Sequence, residues 1–503
     1  MAGRPRVWIG VDLGTGSVRA LAVGDDGAVR HAAARALSST RGRGRHGGSR
    51  HEQDPRSWVE STVAAVGEVA AALDPATVAG LAVDATSGTV VLADGPGPDA
   101  QFLTPGVMYD DDRGAAHAAR AQDVGDEVWT RLGHRVGATW ALPTAMAMLA
   151  DHPGAHLRHQ VDVVTAALVG APVATDASNA LKTGYDALAR RWPVEVLAEL
   201  GLDPDTLPAV VAPGTTLGGL GARTAEETGL PAGLPVIAGM TDGCAAQLGA
   251  GAVAPGQWNT VLGTTLIVKG VCEHLLRDPA GSLYSHRAPQ GGWWLPGGAS
   301  STGAGVLTGV AFPDATGPRL DELTAAAREV PEASVPVVYP LAAQGERFPF
   351  VAGQARGFWL DGGRARPLDE LVDAVGAAAA FAGLCEGVAL VERACLERVA
   401  ALGVDVSGRR TITGGATANP WWNQVRADVA GVALHRPASA EPAFGMAVLA
   451  RAGVDAAGGP PDVVTAAHEM VRIVETIEPR PRAGVEDRRA ALHAAWRELG
   501  WLG

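Results

Sequence analysis

Short apolar runs, each ending in glycine or small polar residues, recur through the first hundred positions of the chain. Runs of this length, bounded by turn residues, are typical of buried strands. The first reads VWIGVDLG, and the GTGS that overlaps its end is typical of a tight turn. We therefore predict strands over residues 7–14, 18–24, 28–37, 78–84 and 89–94.

The stretch between the third and fourth predicted strands has two parts. Residues 38–53 are polar and rich in Arg and Gly, which predicts a solvated loop. Asp54 followed by Pro55 is typical of a helix start, because Asp caps free N–H groups and proline fits the first turn. We predict a helix from there to about residue 73.

The second half of the chain restarts with the same pattern. A strand is predicted over residues 235–243 and a hairpin over 257–270. Leu-Gly-Thr ends an apolar run at residues 13–15 and again at 262–264, which predicts two related domains that face each other. The other predicted elements are helices over 371–400, 420–430 and 480–500 and a strand over 409–413.

Composition narrows the class of protein. A chain of 503 residues exceeds one ordinary core, so at least two domains are expected. The net charge of −13 argues against a nucleic-acid partner. No apolar run approaches ~20 residues and the N-terminus lacks a signal-peptide pattern, so we expect no membrane partner. Four cysteines without CxxC spacing fit a reducing cytoplasm.

Several common catalytic motifs are absent from the sequence. There is no GxxxxGK[ST] loop, no GxGxxG opening a helix after a strand, no HExxH and no GxSxG. Their absence argues against P-loop nucleotidases, dinucleotide enzymes, zinc peptidases and serine hydrolases.

The turn after the first predicted strand is a candidate phosphate site. Consecutive backbone N–H groups in a glycine-rich turn can bind phosphate oxygens, and Thr15 and Ser17 add hydroxyl donors. Asp12, at the strand end, can hold Mg²⁺ directly or through water. A plain glycine-rich hairpin is the alternative.

A second candidate is Asp242, at the end of a predicted strand in the second half. A carboxylate there can accept a hydroxyl proton in phosphoryl transfer, although an Asp that caps the next helix is the alternative. The glycine-rich stretches 263–265 and 414–416 could let a nucleotide approach the backbone, or could be ordinary turns.

Together these segments resemble the FGGY family of carbohydrate kinases, relatives of glycerol kinase and xylulokinase. The likeness runs nearly end to end. It includes VDLGTGSVRA at 11–20, HEQDPRSW at 51–58, VDATSGTVVLAD at 83–94, MYDDDR at 108–113, GMTDGCAAQLGAG at 239–251, VLGTTLIVKG at 261–270 and GGATANPWWNQVRADVAG at 414–431.

The resemblance implies roles for particular residues. Asp12 and Asp242 would hold Mg²⁺, and Asp242 would also be the general base. The phosphate turns would be formed by Gly14, Thr15, Gly16, Ser17, Gly263 and Thr264. Sugar-binding residues would be Thr86, Ser87, Asp111 and Asp242. The adenosine pocket would be lined by Gly414, Gly415, Ala416 and Asn419.

Some segments resemble the branch of D-ribulose and D-xylulose kinases of bacteria and plant plastids. Where xylulokinases of the other branch carry a Gln-Met-His type segment, this chain has Thr86-Ser87-Gly88-Thr89, which favours D-ribulose. The chain departs from the family at Ala145, where a Lys is often found, and that departure puts the sugar in doubt.

The resemblance implies an α/β, two-domain actin/hexokinase/Hsp70-like (ribonuclease H-like) fold with an ATP and sugar cleft. The expected domains are residues 1–248, rejoined by about 440–503, and residues 249–439. The expected activity is phosphorylation of D-ribulose at a primary hydroxyl by Mg·ATP in a cytoplasmic monomer or homodimer. The alternatives are a D-xylulose kinase, a kinase of another polyol such as glycerol, and a non-catalytic sugar sensor.

Overall fold

The computed structural model describes residues 5–44 and 48–502 of the chain. Its two largest β-sheets are mixed and have a similar strand arrangement. Across the first sheet the strands are Thr216–Gly219, Pro235–Ile237, Val78–Ala85, Val7–Leu13, Ser17–Gly24 and Val29–Ala36. Across the second they are Ile473–Ile477, Leu434–Pro437, Arg410–Thr413, Trp258–Leu262, Leu266–Gly270, Trp294–Ser300 and Tyr284–Arg287.

The six strands of the first sheet correspond in order to six strands of the second, which has Tyr284–Arg287 as a seventh. In the first, Val7–Leu13 runs antiparallel to the strand after it and parallel to Val78–Ala85. In the second, Trp258–Leu262 runs antiparallel to its successor and parallel to Arg410–Thr413. The repeated Leu-Gly-Thr marks the end of the equivalent strand in each sheet, so the predicted relation between the halves has a structural counterpart.

The other elements are smaller sheets and helices. The remaining strands are Thr40–Arg43, Ser49–Gln53, Val90–Ala93, Gly106–Val107, His156–His159, Thr175–Asp176, Val210–Val211, Val338–Tyr339, Phe358–Asp361 and Arg364–Pro367. The α-helices are Pro55–Ala71, Ala118–Val124, Asp126–Leu132, Ala141–Leu149, Gln160–Val169, Val194–Glu199, Ala222–Thr228, Asp242–Gly249, Pro318–Arg328, Leu371–Val375, Ala377–Ala401, Pro420–Ala430, Pro442–Asp455, Val463–Met470 and Val485–Glu498. Within the described residues, every helix is too short or too polar to cross a membrane.

Helices cover both faces of the first sheet. Pro55–Ala71 begins as predicted, with the Asp54 carboxylate accepting from the Arg56 N–H at 3.0 Å, and its apolar side packs on one face. Pro442–Asp455 packs on the other face. A Cβ placed on Gly10 would lie 1.7 Å from the Ala443 carbonyl oxygen, so this helix touches the strand backbone directly.

The core of the second half contains a buried ion pair. Arg426, on helix Pro420–Ala430, donates to both carboxylate oxygens of Glu392 at 2.7 and 3.0 Å, and Thr260 of the central strand donates to the same carboxylate at 2.6 Å. Because Arg426 and Glu392 are almost wholly buried, the pair links two helices to the sheet through charge-assisted bonds.

Three predictions made from sequence need correction. Residues 38–53 were expected to form a loop, but Thr40–Arg43 and Ser49–Gln53 pair as a hairpin, and residues 45–47 lie outside the described residues. The helix expected from 371 is interrupted at Gly376, whose φ of +80° is a left-handed conformation. Beyond residue 470 the chain does not stay with the first sheet.

The C-terminal segment divides between the two halves. Helices Pro442–Asp455 and Val463–Met470 pack against the first sheet. Ile473–Ile477, however, pairs with Leu434–Pro437 of the second sheet, and Val485–Glu498 buries Leu492 and Trp496 in the core of the second half. The domain boundaries at 248 and 439 stay a prediction.

Candidate active site

Three aspartates lie together where parallel strands of the first sheet end. Asp12 and Asp84 are direct partners in the register of two neighbouring parallel strands. On the far side of the Asp84 strand, Thr241 bridges to Ala85, and Asp242 begins the helix Asp242–Gly249. The carboxyl ends of parallel strands meet at one edge of a sheet, which is why residues 12, 84 and 242 converge.

Burial and mutual repulsion make it unfavourable for all three of these carboxylates to be ionised at once. Burial, with a smaller contribution from the charge of Asp242, raises the pKa of Asp12 to about 6. Burial and the two neighbouring carboxylates hold the pKa of Asp84 well above its ordinary value. Burial also raises the pKa of Asp242, and the Gly243 N–H and two lysines oppose part of that rise. A cation bound here would offset the repulsion.

The chemistry of the donor set fits Mg²⁺. Asp84 is fully buried, and neither of its carboxylate oxygens has a hydrogen-bond partner in the described part of the chain. No cluster of three or more His, Cys, Asp or Glu side chains in residues 5–44 and 48–502 is close enough to enclose a metal ion. Mg²⁺ needs only one or two carboxylates, since it retains several waters.

Asp84 was not singled out from the sequence, although a signal was present. It ends the predicted strand 78–84 in the same way that Asp12 ends its own strand. Two carboxylates at the ends of two apolar strands are expected to be neighbours if those strands are parallel and adjacent. Adjacency of the strands requires knowledge of the sheet order, which the sequence pattern alone does not provide.

The two predicted phosphate turns join equivalent strands of the two sheets, and the first turn has one residue more than the second. In the first, the Gly14 N–H donates to the Ser17 carbonyl at 3.1 Å, and in the second the Gly263 N–H donates to the Thr265 carbonyl at 3.1 Å. A Cβ on Gly16 would meet nothing within 4 Å, so this turn has open space beside its backbone. A phosphate group could therefore approach the amides of the first turn closely.

The predicted adenosine residues border a cavity of about 580 Å³ in the second half. Gly415, Ala416 and Asn419 line it, together with Leu307, Leu320, Thr324, Arg328 and Trp422. Asn419 caps helix Pro420–Ala430 by accepting from the Trp422 N–H at 3.2 Å. Gly414 differs, because a Cβ there would lie 2.5 Å from the Leu262 carbonyl oxygen, so it packs against the second phosphate turn.

The predicted sugar-binding residues differ in whether their hydroxyl groups are free to contact a ligand. The Thr86 hydroxyl is buried and lies 2.6 Å from both the Gln160 Oε1 and the Thr89 hydroxyl. The neighbouring Ser87 hydroxyl has no partner among the described residues. Ser87 is therefore better placed than Thr86 to contact a ligand, and both assignments stay predictions.

Asp111 is occupied by protein contacts. Its carboxylate accepts from the His51 N–H at 2.8 Å and from the Arg113 guanidinium at 2.7 and 2.8 Å. Burial opposes its charge, yet the Arg113 guanidinium and these N–H groups hold the pKa of Asp111 below its ordinary value. Any sugar contact by Asp111 would share an oxygen with this network.

Ala145 occupies the position at which the resemblance led us to expect a lysine. Ala145 is fully buried in an apolar cluster with Trp129 and Leu142, a site unsuited to a charge. The charges that act on Asp242 come from Lys182 and Lys269, which the sequence reasoning did not single out. Asp242 therefore has positively charged neighbours that come from other parts of the chain.

Comparison with known proteins gives matches over nearly the whole chain. Residues 7–249 match the N-terminal domain model of the FGGY family of carbohydrate kinases, and residues 258–453 match the C-terminal domain model. A xylulose kinase of Klebsiella pneumoniae is 28% identical over 98% of this chain and 97% of that protein. A glycerol kinase of Aromatoleum aromaticum is 29% identical over 98% and 99%. The crystal structure of xylulose kinase from Rhodospirillum rubrum superposes with a TM-score of 0.83, at 25% identity, over 98% of this chain and 99% of that chain.

Proposed function

This chain belongs to the FGGY family of carbohydrate kinases, and we propose that it transfers the γ-phosphoryl group of ATP to a primary hydroxyl of a ketopentose. The predicted family, two-domain α/β fold and carbohydrate kinase activity with ATP and Mg²⁺ are confirmed. The acceptor and the role of each residue belong to the proposal. The observation that carries it is the position of the Asp242 carboxylate beside Asp12, at the edge that also bears the first phosphate turn.

Asp242 would act as the general base. Its carboxylate would take the proton of the attacking hydroxyl as that oxygen bonds to the γ-phosphorus, while the bond from phosphorus to the β–γ bridging oxygen breaks. Burial favours this role, because a raised pKa brings the carboxylate closer to the working pH of a proton acceptor.

The other residues would bind and orient the phosphates. Amides and hydroxyls of the two turns, residues 14–17 and 263–264, would bind oxygens of the β- and γ-phosphates. Mg²⁺, when bound, neutralises charge on those oxygens. Asp12 and Asp242 would hold the ion. The adenosine would lie in the cavity lined by Gly415, Ala416 and Asn419.

Two ketopentoses are the acceptors to separate. Relatives named xylulose kinase support D-xylulose, while the Thr86-Ser87-Gly88-Thr89 segment supports D-ribulose, the acceptor expected from the sequence. Because one of the relatives is a glycerol kinase, the test also includes glycerol, a smaller polyol. Because one missing or inverted hydroxyl changes transition-state binding strongly in a site built for it, turnover should separate these acceptors.

The test is an ADP-release assay with Mg·ATP across D-xylulose, D-ribulose, their L-isomers, ribitol and glycerol. We expect kcat/KM for one D-ketopentose to exceed that for glycerol by at least about 100-fold, the discrimination that lost polar contacts produce. Higher kcat/KM with glycerol would overturn the acceptor class. Failure of all the sugars, with ATP binding intact by calorimetry, would favour the sensor alternative.

Asp242→Asn tests the base. The amide keeps the size of the side chain and removes the proton acceptor, so kcat should fall by roughly 10²- to 10⁴-fold. The matched control is Asp94→Asn, an aspartate on the loop after Val90–Ala93. Wild-type turnover by Asp242→Asn would remove this residue from the role.

A further inference from the structure

Lysine is almost absent from this chain. Of its 41 Lys and Arg residues only two are lysine, Lys182 and Lys269. Both act on the charge of Asp242, although they lie 87 positions apart in the sequence and belong to different halves. Arginine serves as the cation at every other position, so the site beside Asp242 is where the chain uses the smaller ammonium group.

Lys182 lies on the short helical turn Leu181–Thr183 and reaches the predicted sugar segment. Its ammonium donates to the Ser87 carbonyl at 2.9 Å, and its aliphatic stem crosses Gly88, where a Cβ would come within 3.0 Å. An ammonium has three N–H donors, and only this one bond is made by Lys182 within the described residues. The side chain is partly exposed, so its other donors can reach a ligand.

Lys269 approaches Asp242 from the second sheet. It belongs to strand Leu266–Gly270, and a Cβ on Gly243 would lie 3.7 Å from its Cδ. Burial opposes its charge, but the Cys244 thiol, Tyr284 and Asp242 raise its pKa above the ordinary value. Two ammonium groups, one of them buried, therefore flank the predicted base.

The chemistry of ketopentoses gives this arrangement a use. A ketopentose closes its five-membered ring by attack of O5 on the C2 carbonyl, so O5 is a free hydroxyl only in the open-chain form. An enzyme that phosphorylates O5 must then bind a molecule with a free ketone at C2. A ketone oxygen only accepts hydrogen bonds, and an ammonium only donates them.

We propose that Lys182 donates to the C2 carbonyl oxygen of an open-chain ketopentose. The inference rests on the proposed function, since it supposes phosphorylation at O5. The Ser87 carbonyl takes one N–H of Lys182 and leaves two donors for a ligand. A hydroxyl oxygen at C2 would also accept from the ammonium, so only a compound without an oxygen at C2 would lack the contact.

Lys182→Met tests the contact, because methionine keeps the length of the side chain and removes its charge and donors. For wild type and variant, we would measure kcat/KM for the preferred ketopentose and the inhibition constant of the matching 2-deoxypentitol, which has no oxygen at C2. We expect kcat/KM for the ketopentose to fall roughly 10- to 100-fold, as for a lost bond to a charged donor. The inhibition constant should change less than about threefold, because the 2-deoxypentitol has no C2 oxygen for Lys182 to contact. Lys182→Arg should recover part of the activity.

The comparison of two ligands separates the ketone contact from other roles. A change in the charge of Asp242 would alter turnover of all acceptors and leave the preference for the ketopentose over the 2-deoxypentitol as in wild type. Equal weakening of both ligands, or no change in either, would overturn the inference. Thermal unfolding and ATP affinity should match wild type. If wild type turns over no ketopentose, both the proposed function and this inference are wrong. If Lys182→Met is active and its preference between the two ligands is unchanged, only the inference is wrong.

Discussion

The raised pKa of Asp12 predicts that the metal-free protein loses stability as the pH rises. The folded pKa is about 6 against an ordinary 3.8. Because the folded state binds this proton more tightly, the stabilisation is fully present below the lower value and is lost as pH rises through the higher one. Asp12→Asn removes the titration while keeping a side chain of nearly the same size.

The size of the effect follows from the two pKa values. The full gap corresponds to about 3 kcal/mol of unfolding free energy, at 1.36 kcal/mol for each pKa unit. Linkage places roughly half of that loss between pH 5 and pH 7.5. Wild type should therefore lose stability relative to Asp12→Asn across the interval, and the difference includes the relief that the substitution gives to the neighbouring Asp84 carboxylate.

The assay is urea unfolding of both proteins in EDTA at the two pH values. At the higher pH, saturating Mg²⁺ should restore stability to wild type and should restore less to Asp12→Asn, because a bound cation stabilises only the folded state. A difference between the two proteins that stays constant with pH would refute the assignment of a raised pKa to Asp12. Equal stabilisation of both by Mg²⁺ would remove Asp12 from the metal site.

Two further predictions concern the second half. Arg426→Met should destabilise the protein by about 3–5 kcal/mol in thermal or urea unfolding, because it leaves the buried Glu392 carboxylate without its charge partner. The double variant Arg426→Met/Glu392→Leu should recover most of that loss, and equal destabilisation by both would contradict the reasoning. Gly415→Val should raise the KM for ATP by about tenfold or more with little change in the acceptor KM, since a Cβ at 415 would meet open space in the cavity. An unchanged KM for ATP would move the adenosine elsewhere.

Local patterns in the sequence were sufficient for the strands that carry the phosphate turns. The apolar run before Gly14 and the run before Gly263 both form strands at the predicted places, because a short apolar segment bounded by glycine has few other folded arrangements. The helix start at Asp54 was also predictable, since capping depends on neighbouring residues alone.

Features that depend on distant parts of the chain were not predictable in this way. Asp84 belongs to the candidate site because its strand lies beside the strand of Asp12. Lys182 and Lys269 belong to it because residues from the two halves of the chain come together near Asp242. Thr86 belongs to a sugar segment by position, yet its hydroxyl is taken by Gln160, a partner 74 residues away. Such pairings are set by the order of strands and helices in space, which residue patterns do not encode locally.

The helix Pro442–Asp455 has a consequence for synthesis of the chain. It covers a face of the first sheet, at backbone contact with Gly10, but it follows that strand by more than four hundred residues. The first sheet therefore emerges from the ribosome with one apolar face bare, and that face stays bare until almost all of the second half has been made. A truncation before residue 442 would leave this face uncovered permanently, so the first half cut off from the rest of the chain would expose an apolar sheet face.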